Sequence, residues 1–588
     1  MTPSSAQLFP ADSPPFSPRL RRCCFFLLAA FFAIGIFDHA LWGPNDSREG
    51  AMIWEMVRTS RWVTPILDGV PYLEKPPLLH WTSLLLCRAA GSTTEGLLRL
   101  PAALFGFGAL LVLVAFARRL GRERAGWMAA FLCATSAKYL EYSKIVLTDT
   151  CVAFVVGVSL FLFWRAWERR DRPGAGRRWF AFLAATAAAF YAKGLVGPAL
   201  VWSGCGLFLL GRRQWKLVFA LPSLWLLLLL LLLAPWAWAL WRDGGLDNLR
   251  GVFWDNQLGR FFVFGTPEDH PELPIDPYFV HKEDVFYYLR TFPGAAAPWS
   301  LLFFAGLIAF FRGKSATDLR FFLRCALAGM LLLLHLSSAK VANYLIPAYP
   351  FIALAAALWL EDALPRPTLS GKTARILVLI PAIPLAAVAL VAPLVLPVAF
   401  FIPHEGFSAA ALLSPFLLVA IAAFSLLAFA FALSAVRRLA ALWRSGPDGP
   451  LRAARRIPPA IALFLVLFAA AAVPVYDAHR SPRDFGRFLA AETAAGRRIY
   501  LAPMQEKHVG ACLYYADADL PVLPLDHDTR WTLLRESATR PVGLVLTENI
   551  WKRNAPEVGL DVGFTPVRPP SNLNYASRRF LLLVPSTP

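Results

Sequence analysis

Charged side chains are scarce in this sequence. Asp, Glu, Lys and Arg make up only 16% of its 588 residues, whereas 57% are hydrophobic. Soluble domains carry about 25% charged residues and have no need of uninterrupted apolar runs of about 20 residues, which recur throughout this chain. The composition therefore excludes an ordinary soluble protein and predicts a polytopic α-helical membrane protein.

Cysteine is also sparse, and its spacing excludes two kinds of small domain. The eight cysteines form no CxxC pair, and most of them lie inside apolar runs. Only Cys512 belongs to the C-terminal region. We expect neither a disulfide framework nor a zinc ribbon.

Acidic residues are outnumbered by basic ones, which gives a formal net charge of +19. A nucleic-acid-binding protein would collect its bases on one soluble face, but here they form short clusters between apolar runs. Such clusters are typical of the cytoplasmic loops of membrane proteins. We therefore expect no nucleic-acid partner, and we take the bases as markers of orientation.

The basic clusters predict how the chain crosses the membrane. The run Cys23–Trp42 follows Arg19–Arg22 and is longer than a signal-peptide core, so we expect a retained span and a cytoplasmic N-terminus. The later clusters alternate correctly only if Pro77–Gly91, which is short for a span, is an interfacial helix on the outer side. About thirteen spans and an outward C-terminus result, with spans near 23–42, 97–117, 126–146, 150–166, 179–192, 195–211, 216–240, 297–311, 320–336, 343–360, 376–401, 408–434 and 457–475.

This topology divides the chain into two expected domains. Residues 1–475 form a transmembrane domain whose long outer loops, 43–96 and 241–296, hold most of the informative polar residues. The cytoplasmic loops are short and basic, as simple connectors are. We therefore expect the chemistry of the protein on the outer face.

Residues 476–588 differ in character from the rest of the chain. Ser481 before Pro482 predicts the start of a helix, and the apolar runs at 498–503, 542–548 and 578–585 predict strands. We expect a small outer α/β domain with a structural or acceptor-guiding role. This region contains no Gly-rich phosphate loop and no metal-ligand spacing.

Two acids stand at the outer boundaries of apolar runs. Asp46 follows the first run, within the sequence Asn45 to Glu49, and Asp149 precedes the fourth run between two threonines. Either acid could simply cap a helix N-terminus, where negative charge is favourable. Alternatively, both belong to a single outer site in which carboxylates converge.

Basic residues accompany these acids on the outer side. Lys193 and Lys340 are lone lysines at the outer ends of apolar runs, where the side chain often snorkels to the membrane surface. A shared anionic ligand is the alternative explanation. Glu74 and Lys75, in YLEKPPLLHW, precede two prolines that favour an extended segment followed by a helix start.

These motifs carry a resemblance to a known family. The segments DSRE, YLEKPPLLHW, LRLPAAL, LTDT, AKG and SSAKVANYLIPAYP follow one another in the order seen in lipid-linked-sugar glycosyltransferases of the GT-C class. The sequence most resembles the bacterial aminoarabinose transferases that modify lipid A, and more distantly the protein O-mannosyltransferases. The resemblance covers residues 37–360 in motifs and the remainder in layout.

The resemblance implies a function and a location. It implies transfer of a sugar from a polyprenyl-phosphate donor to an acceptor such as lipid A, another glycolipid or a glycan. The reaction would take place on the periplasmic face of a bacterial inner membrane, among membrane lipids, in a monomer with an outward C-terminal domain.

It also implies site residues. Catalytic roles fall to Asp46, Asp149 and Glu74, and donor-binding roles to Arg48, Lys75, Lys193, Arg260, Lys340 and Tyr344.

Two departures from the family pattern affect that set. The family usually has Asp-Glu before the Arg, but here Asn45 and Asp46 stand before Ser47 and Arg48, so the catalytic acid could be shifted by one position. Relatives can carry a metal-binding His near the RF pair, whereas this chain reads WDNQLGRF. A divalent metal at Glu74 is therefore left open.

Two other classes of protein remain open from the residues themselves. A transporter or flippase would also be polytopic, but it favours paired repeats and charges near mid-membrane, whereas these charges lie in long outer loops. A sensor or scaffold would explain the C-terminal domain but not the Glu-Lys-Pro-Pro cluster. Sugar transfer requires cations that neutralise phosphate and a carboxylate that orients the acceptor, which agrees with the residues present.

Overall fold

The structure is a computed structural model of the full chain. It describes residues 16–258, 283–313, 317–337, 339–365, 368–381, isolated positions between 383 and 480, and then 481–554, 556–567 and 579–586.

The N-terminal part is a bundle of helices joined by short loops. Five stretches of the described chain are long and apolar enough to cross a membrane: Glu95–Arg119, Asp149–Glu168, Trp215–Gln257, Asp318–Leu336 and Ala342–Ala363. Two shorter apolar helices accompany them. The helices are α1 (Pro18–Ala33), α2 (Pro44–Thr59), α3 (Leu78–Ala90), α4 (Glu95–Arg119), α5 (Glu123–Ala134), α6 (Ala137–Tyr142), α7 (Asp149–Glu168), α8 (Ala175–Lys193), α9 (Val196–Gly211), α10 (Trp215–Leu249), α11 (Tyr287–Ala295), α12 (Ser300–Arg312), α13 (Asp318–Leu336) and α14 (Tyr349–Ala363).

Short irregular elements interrupt this bundle. A two-stranded hairpin, β1 (Ile66–Leu67) with β2 (Val70–Pro71), lies between α2 and α3. A π-helical turn, Arg250–Leu258, follows α10, and a 3-10 helix, Ala342–Ala348, leads into α14. Both irregular helices contribute polar residues to the cavity described below, Asn256 and Gln257 from the first and Asn343 and Tyr344 from the second.

The first apolar run does not form one continuous span. Helix α1 ends at Ala33, although a span to Trp42 was expected. The chain leaves the helix at Gly35, whose φ of +85° lies in the left-handed region that favours glycine. The carbonyls released beyond that point accept hydrogen bonds from the buried Arg99 guanidinium, at Ile36, His39 and Ala40. A charged side chain from α4 thus replaces the missing helical hydrogen bonds.

The run expected to span 126–146 is also divided. Helix α5 ends at Ala134, and α6 begins at Ala137. Hydroxyls at the break bond back to the preceding turn: Thr135 to the Phe131 carbonyl and Ser136 to the Leu132 carbonyl. Such local hydrogen bonds compete with helix continuation.

Other predicted segments agree with the observed helices or lie outside the described part. Pro77–Gly91 contains the short helix α3, which begins at Leu78 directly after the two prolines. The predicted spans 376–401, 408–434 and 457–475 fall almost entirely outside the described residues.

The C-terminal unit is a four-stranded sheet with helices packed on it. Strands β3 (Arg498–Leu501), β4 (Val542–Thr547), β5 (Phe564–Val567) and β6 (Phe580–Pro585) lie in the order β3-β4-β6-β5. β3 is parallel to β4, whereas β6 is antiparallel to both of its neighbours. The helices are α15 (Arg483–Ala494), α16 (Glu506–Ala516), α17 (His527–Ser537) and α18 (Glu548–Asn554). All three strands expected from the sequence are present, while β5 was not predicted.

This unit shares a hydrophobic core with the helical part. Met52 and Trp54 of α2, and Tyr72 of the loop before α3, are buried together with Val509 and Leu513 of α16. Ion pairs and hydrogen bonds reinforce the contact, including Arg483 with Glu95 and Asp477 with the Trp42 indole. The two parts therefore pack as one body along α2.

Candidate functional site

A cavity of about 400 Å³ opens where several long apolar helices end. It lies at the first residues of α7, the last residue of α8 and the last turn of α13. Its volume falls in the range of small-molecule sites, about 300–1,000 Å³. The lining residues include Asn45, Arg48, Glu74, Lys75, Tyr142, Thr148, Asp149, Lys193, Asn256, Gln257, Ser337, Asn343 and Tyr344.

Side chains of one cavity wall bond to a buried carboxylate, that of Glu49. Lys75 donates to Glu49 Oε1 over 2.5 Å, and the Arg48 guanidinium donates to the same oxygen over 3.0 Å. His80 Nε2 lies 2.9 Å from Oε2, and both His80 and Glu49 are fully buried. Two of the groups that line the cavity, Lys75 and Arg48, are thus held by one acid on α2.

The environment of Glu49 favours its ionised form. Burial opposes ionisation, but the charge of Lys75, the hydrogen bond with His80 and the charge of Arg48 together outweigh it. The pKa of Glu49 therefore lies well below its ordinary value. A fixed negative charge beneath two cations keeps their side chains oriented without cancelling their combined charge.

Glu74 lies beside this cluster on the cavity surface. Its Oε2 accepts a hydrogen bond of 2.8 Å from the Tyr72 hydroxyl. The Tyr72 ring also carries the Arg48 guanidinium at 5.2 Å from its centroid. Tyr72 is buried in the core shared with the C-terminal unit, so its contacts hold Glu74 and Arg48 in place.

A second charged group faces the cavity from α7 and α8. Lys193 donates to Asp149 Oδ1 over 2.6 Å, and the Asn343 amide donates to Oδ2 over 2.8 Å. The Lys193 ammonium also lies 4.2 Å from the centroid of the Tyr344 ring. Asp149, Lys193 and Tyr344, which are far apart in the sequence, therefore form one cluster.

The backbone conformation and the close packing after Lys193 require a glycine at position 194. Its φ is +65°, and a Cβ placed there would lie 1.7 Å from Gln257 Oε1. That oxygen accepts a hydrogen bond from the Leu195 backbone N–H, at 3.0 Å. The bend at Gly194 thus allows Gln257 to enter the cavity wall directly behind Lys193.

Asp46 does not line the cavity, in contrast to the expectation that it faces the substrate. Its carboxylate pairs with Arg99 at 2.5 Å and accepts a hydrogen bond from the Val146 N–H at 2.9 Å. Asp46 and Arg99 are both buried, at 1% and 0% exposed. The neighbouring Asn45 lines the cavity instead. Adjacent positions on a helix point in directions about 100° apart, so a shift of one residue separates the cavity from the core.

A further predicted donor-binding residue, Lys340, does not line the cavity. Lys340 is 3% exposed, and its ammonium donates to the backbone carbonyls of Glu283, at 3.0 Å, and Ser337. It fixes the loop that follows α13 rather than the cavity surface. Arg260 lies outside the described residues.

A metal centre at Glu74 finds no set of ligands in the described part of the chain. No group of three His, Cys, Asp or Glu side chains is close enough there to hold an ion. The side chains nearest to Glu74 in sequence and space include Tyr72 and Lys75, which are poor partners for a divalent cation.

Sequence reasoning missed two residues that organise the site. Glu49 was noted only as an acid at the end of the first run, and Asn343 only as part of a quoted motif. A helical spacing of four residues between Asn45 and Glu49 places both on one side of α2, which could have indicated the role of Glu49. No local signal connects Asn343 to Asp149, since 194 positions separate them.

Comparisons with known proteins agree with this architecture. Residues 21–243 match the dolichyl-phosphate-mannose-protein mannosyltransferase family. The chain also has the GT-C fold of membrane glycosyltransferases: it superposes on crystalline ArnT from Cupriavidus metallidurans bound to undecaprenyl phosphate with a TM-score of 0.69. That match covers 97% of this chain and 98% of the other, at 19% identity. The apo form of the same protein gives a TM-score of 0.68.

Curated relatives carry one shared description. An undecaprenyl phosphate-α-4-amino-4-deoxy-L-arabinose arabinosyl transferase of Pseudomonas aeruginosa is 28% identical over 340 residues, which is 57% of this chain and 59% of the relative. One from Pectobacterium atrosepticum is 25% identical over 342 residues, 58% of either chain. The matched segment thus spans less than two thirds of these relatives. The resemblance to GT-C transferases of this type is confirmed at the level of fold and family domain.

Proposed function

We propose that the protein is an integral-membrane glycosyltransferase that moves a sugar from a polyprenyl-phosphate donor to an acceptor at the membrane surface. The observation that carries this proposal is the cavity at the helix ends, where Arg48, Lys75 and Lys193 lie beside Glu74 and Asp149. Cations suit a phosphate, and carboxylates suit a hydroxyl acceptor.

The cations supply the leaving-group side of the reaction. In the transfer, an acceptor hydroxyl oxygen attacks the anomeric carbon, and the bond from that carbon to the phosphate oxygen breaks. The electron pair stays on the polyprenyl phosphate, whose negative charge grows. Lys75, Arg48 and Lys193 are placed to stabilise that charge, and their fixed positions avoid reorganisation at the moment of reaction.

The carboxylates supply the acceptor side. We propose that Asp149 or Glu74 accepts a hydrogen bond from the acceptor hydroxyl, orients it and takes its proton. Asp149 is held on both oxygens by Lys193 and Asn343, which preserves its direction. Asn45, which lines the cavity, carries an amide instead of a carboxylate. The Asp46 carboxylate forms a buried ion pair with Arg99. We therefore place the catalytic carboxylates outside the Asn45–Asp46 pair.

The charge distribution supports an outward position for the cavity. The opposite ends of the cavity helices carry basic residues: Arg165 of α7, Arg177 and Arg178 of α8, and Arg320 of α13. Basic clusters favour the cytoplasmic side, so the cavity would face the periplasm of a bacterial inner membrane. The C-terminal unit, packed beside the cavity on α2, would lie on the same side.

The named relatives suggest a particular donor and acceptor class. Their description specifies an aminoarabinose carried on undecaprenyl phosphate. We propose a polyprenyl-phosphate sugar as donor, and lipid A or another envelope glycolipid or glycan as acceptor. A monomer is sufficient for this scheme, because every proposed group comes from one chain.

A polytopic transporter or flippase is the alternative considered from the sequence. Such a protein needs a pathway with binding groups near mid-membrane. The charged groups here lie at the ends of helices, against the loop before α3 and the 3-10 helix before α14. This position favours chemistry at a membrane surface over transport.

Reconstitution tests the proposal directly. The purified protein is placed in liposomes with an undecaprenyl-phosphate sugar and lipid A, and the lipids are analysed by mass spectrometry. A mass increase of one sugar on the acceptor, with release of undecaprenyl phosphate, is the expected result. Movement of the donor across the bilayer without any transfer would refute it. Envelope lipids from a deletion strain then identify the natural acceptor.

A further inference from the structure

Helix α16 of the C-terminal unit lies directly against the cavity-forming turn of α2. A Cβ on Gly510 would lie 2.7 Å from the Ser47 carbonyl oxygen and 3.2 Å from Arg48 Cα. A second contact, from the Trp54 indole N–H to Asp517 Oδ1 at 2.8 Å, fixes the other end of α16. Backbone contact therefore sets the distance between α16 and α2. This packing places Glu506, the first residue of α16, at the edge of the cavity wall.

Glu506 reaches a side chain that lines the cavity. Its Oε2 accepts a hydrogen bond of 2.8 Å from Arg48 Nη1. The other terminal nitrogen, Nη2, donates to Glu49 Oε1 at 3.0 Å and to Asn45 Oδ1 at 3.2 Å. Arg48 is therefore held from two sides, by a buried acid of its own helix and by an acid of the C-terminal unit.

We propose that Glu506 is a positioning residue for Arg48, so that the C-terminal unit completes the donor site. The inference rests on the proposed function, in which Arg48 helps to hold the donor phosphate. A long guanidinium side chain fixed before binding loses less rotamer freedom when the phosphate arrives. The acid acts through Arg48 and does not itself contact the donor.

The exposure of the pair sets the size of the expected effect. The Arg48 side chain is 15% exposed and that of Glu506 is 52% exposed, so solvent weakens their attraction. Loss of Glu506 is expected to raise the donor KM about two- to fivefold, with kcat little changed. The change should shrink at high salt, because screening already weakens the wild-type pair.

The experiment compares matched glutamate variants in the full-length protein. Glu506→Gln and Glu506→Ala remove the charge, Glu506→Asp retains it, and Glu557→Gln changes an exposed glutamate of the same unit. Donor KM and kcat are measured for each variant, together with binding of undecaprenyl phosphate and the unfolding temperature. We expect weaker donor binding for Gln and Ala, partial rescue by Asp, and wild-type values for Glu557→Gln.

A double-mutant cycle separates positioning from a general structural role. If Glu506 acts through Arg48, then Glu506→Gln should add no further loss to Arg48→Met. Additive losses, or a Glu506→Gln variant that matches Glu557→Gln, would overturn the inference while leaving the transferase proposal intact. A wild-type protein that neither binds undecaprenyl phosphate nor transfers sugar would instead overturn both.

Discussion

Two neighbouring regions of this molecule are rich in ion pairs, yet they use their charges differently. In the contact layer between α2, α4 and the C-terminal unit, the pairs Asp46–Arg99 and Glu95–Arg483 direct their polar atoms toward protein partners. In the cavity, Asp149–Lys193 and Glu49–Lys75 are also paired, but Asp149, Lys193 and Lys75 border open space. Position relative to the cavity distinguishes the two sets, whereas residue type does not.

The comparison shows how one short motif serves both regions. Asn45, Asp46, Arg48 and Glu49 follow one another on the first turns of α2. Asn45 and Arg48 line the cavity, Asp46 enters the contact layer, and Glu49 lies beneath the cavity wall. Residues that line the cavity therefore alternate with residues that bond within the protein along a single helix, and substitutions within the motif should distinguish the two sets.

The largest effect is expected in the contact layer. Asp46→Ala leaves Arg99 buried with its charge uncompensated, which should lower the free energy of unfolding by about 3–5 kcal/mol. Thermal unfolding in detergent measures this loss, with the exposed Glu557→Gln variant as control. If Asp46→Ala keeps the wild-type unfolding temperature but transfers no sugar, Asp46 acts in the chemistry and the two regions are wrongly separated.

Asp149→Asn should have the next largest effect, and it should act on rate rather than stability. The amide keeps a similar shape, and its single oxygen can still accept a hydrogen bond from Lys193 or Asn343, but it cannot take a proton. We expect kcat to fall by about 10²- to 10³-fold with little change in unfolding temperature. Asp318→Asn, at the far end of α13, is the matched control. Wild-type turnover in Asp149→Asn would assign the proton transfer to Glu74.

Substitutions of Lys193 and Lys340 should have smaller effects, one on donor binding and the other on stability. Lys193→Met removes a cation that borders the cavity, so donor KM should rise about tenfold or more. Lys340→Met removes a cation that bonds to the Glu283 and Ser337 carbonyls, so it should reduce stability and leave KM unchanged. Steady-state kinetics at varied donor concentration distinguish the two. An equal rise in KM for both variants would contradict the proposal that only Lys193 contributes to donor binding.

The last prediction concerns the pH dependence of stability in the C-terminal unit. Burial, reinforced by Lys507 and Arg579, lowers the pKa of His508 from 6.5 to about 4. Between these values the unfolded chain binds a proton that the folded chain does not, so this contribution to stability is complete above pH 6.5 and is lost toward pH 4.

The matching measurement is the unfolding temperature of the full chain across that pH range. His508→Gln should flatten the pH dependence relative to wild type, because the group that titrates differently in the two states is gone. An unchanged pH profile would exclude His508 as its source.

Much of the architecture follows from local patterns in the chain. Apolar runs predicted α4, α7, α8, α9, α12 and α13 within a few residues, and they predicted α10 except for its last nine, because a long apolar segment in lipid satisfies its backbone by forming a helix. The patterns failed at α1 and α5, which end early. In both places distant or local polar side chains take over backbone hydrogen bonds, Arg99 in one and Thr135 with Ser136 in the other.

The sequence selected many of the residues that line the cavity, but it did not predict how they are arranged. Arg48, Glu74, Lys75, Asp149, Lys193 and Tyr344 were all selected from the sequence, and all line the cavity. Asp46 and Lys340 have similar neighbours in the sequence, but their side chains do not line the cavity. Asp46 pairs with Arg99, and Lys340 donates to a backbone carbonyl. Periodicity could not resolve them, because a rotation of 100° per residue turns a side chain from the cavity into the core.

The sequence by itself indicated that the chain crosses a membrane, and it predicted that the basic clusters mark one side and that the candidate site residues gather on the other. These properties depend on composition and on short-range order, which every segment carries with it. The tertiary structure alone decided which charges border the cavity and which support it. That choice depends on contacts between residues as distant as Asp149 and Asn343, or Arg48 and Glu506, and such contacts exist only after the helices and the C-terminal unit have packed together.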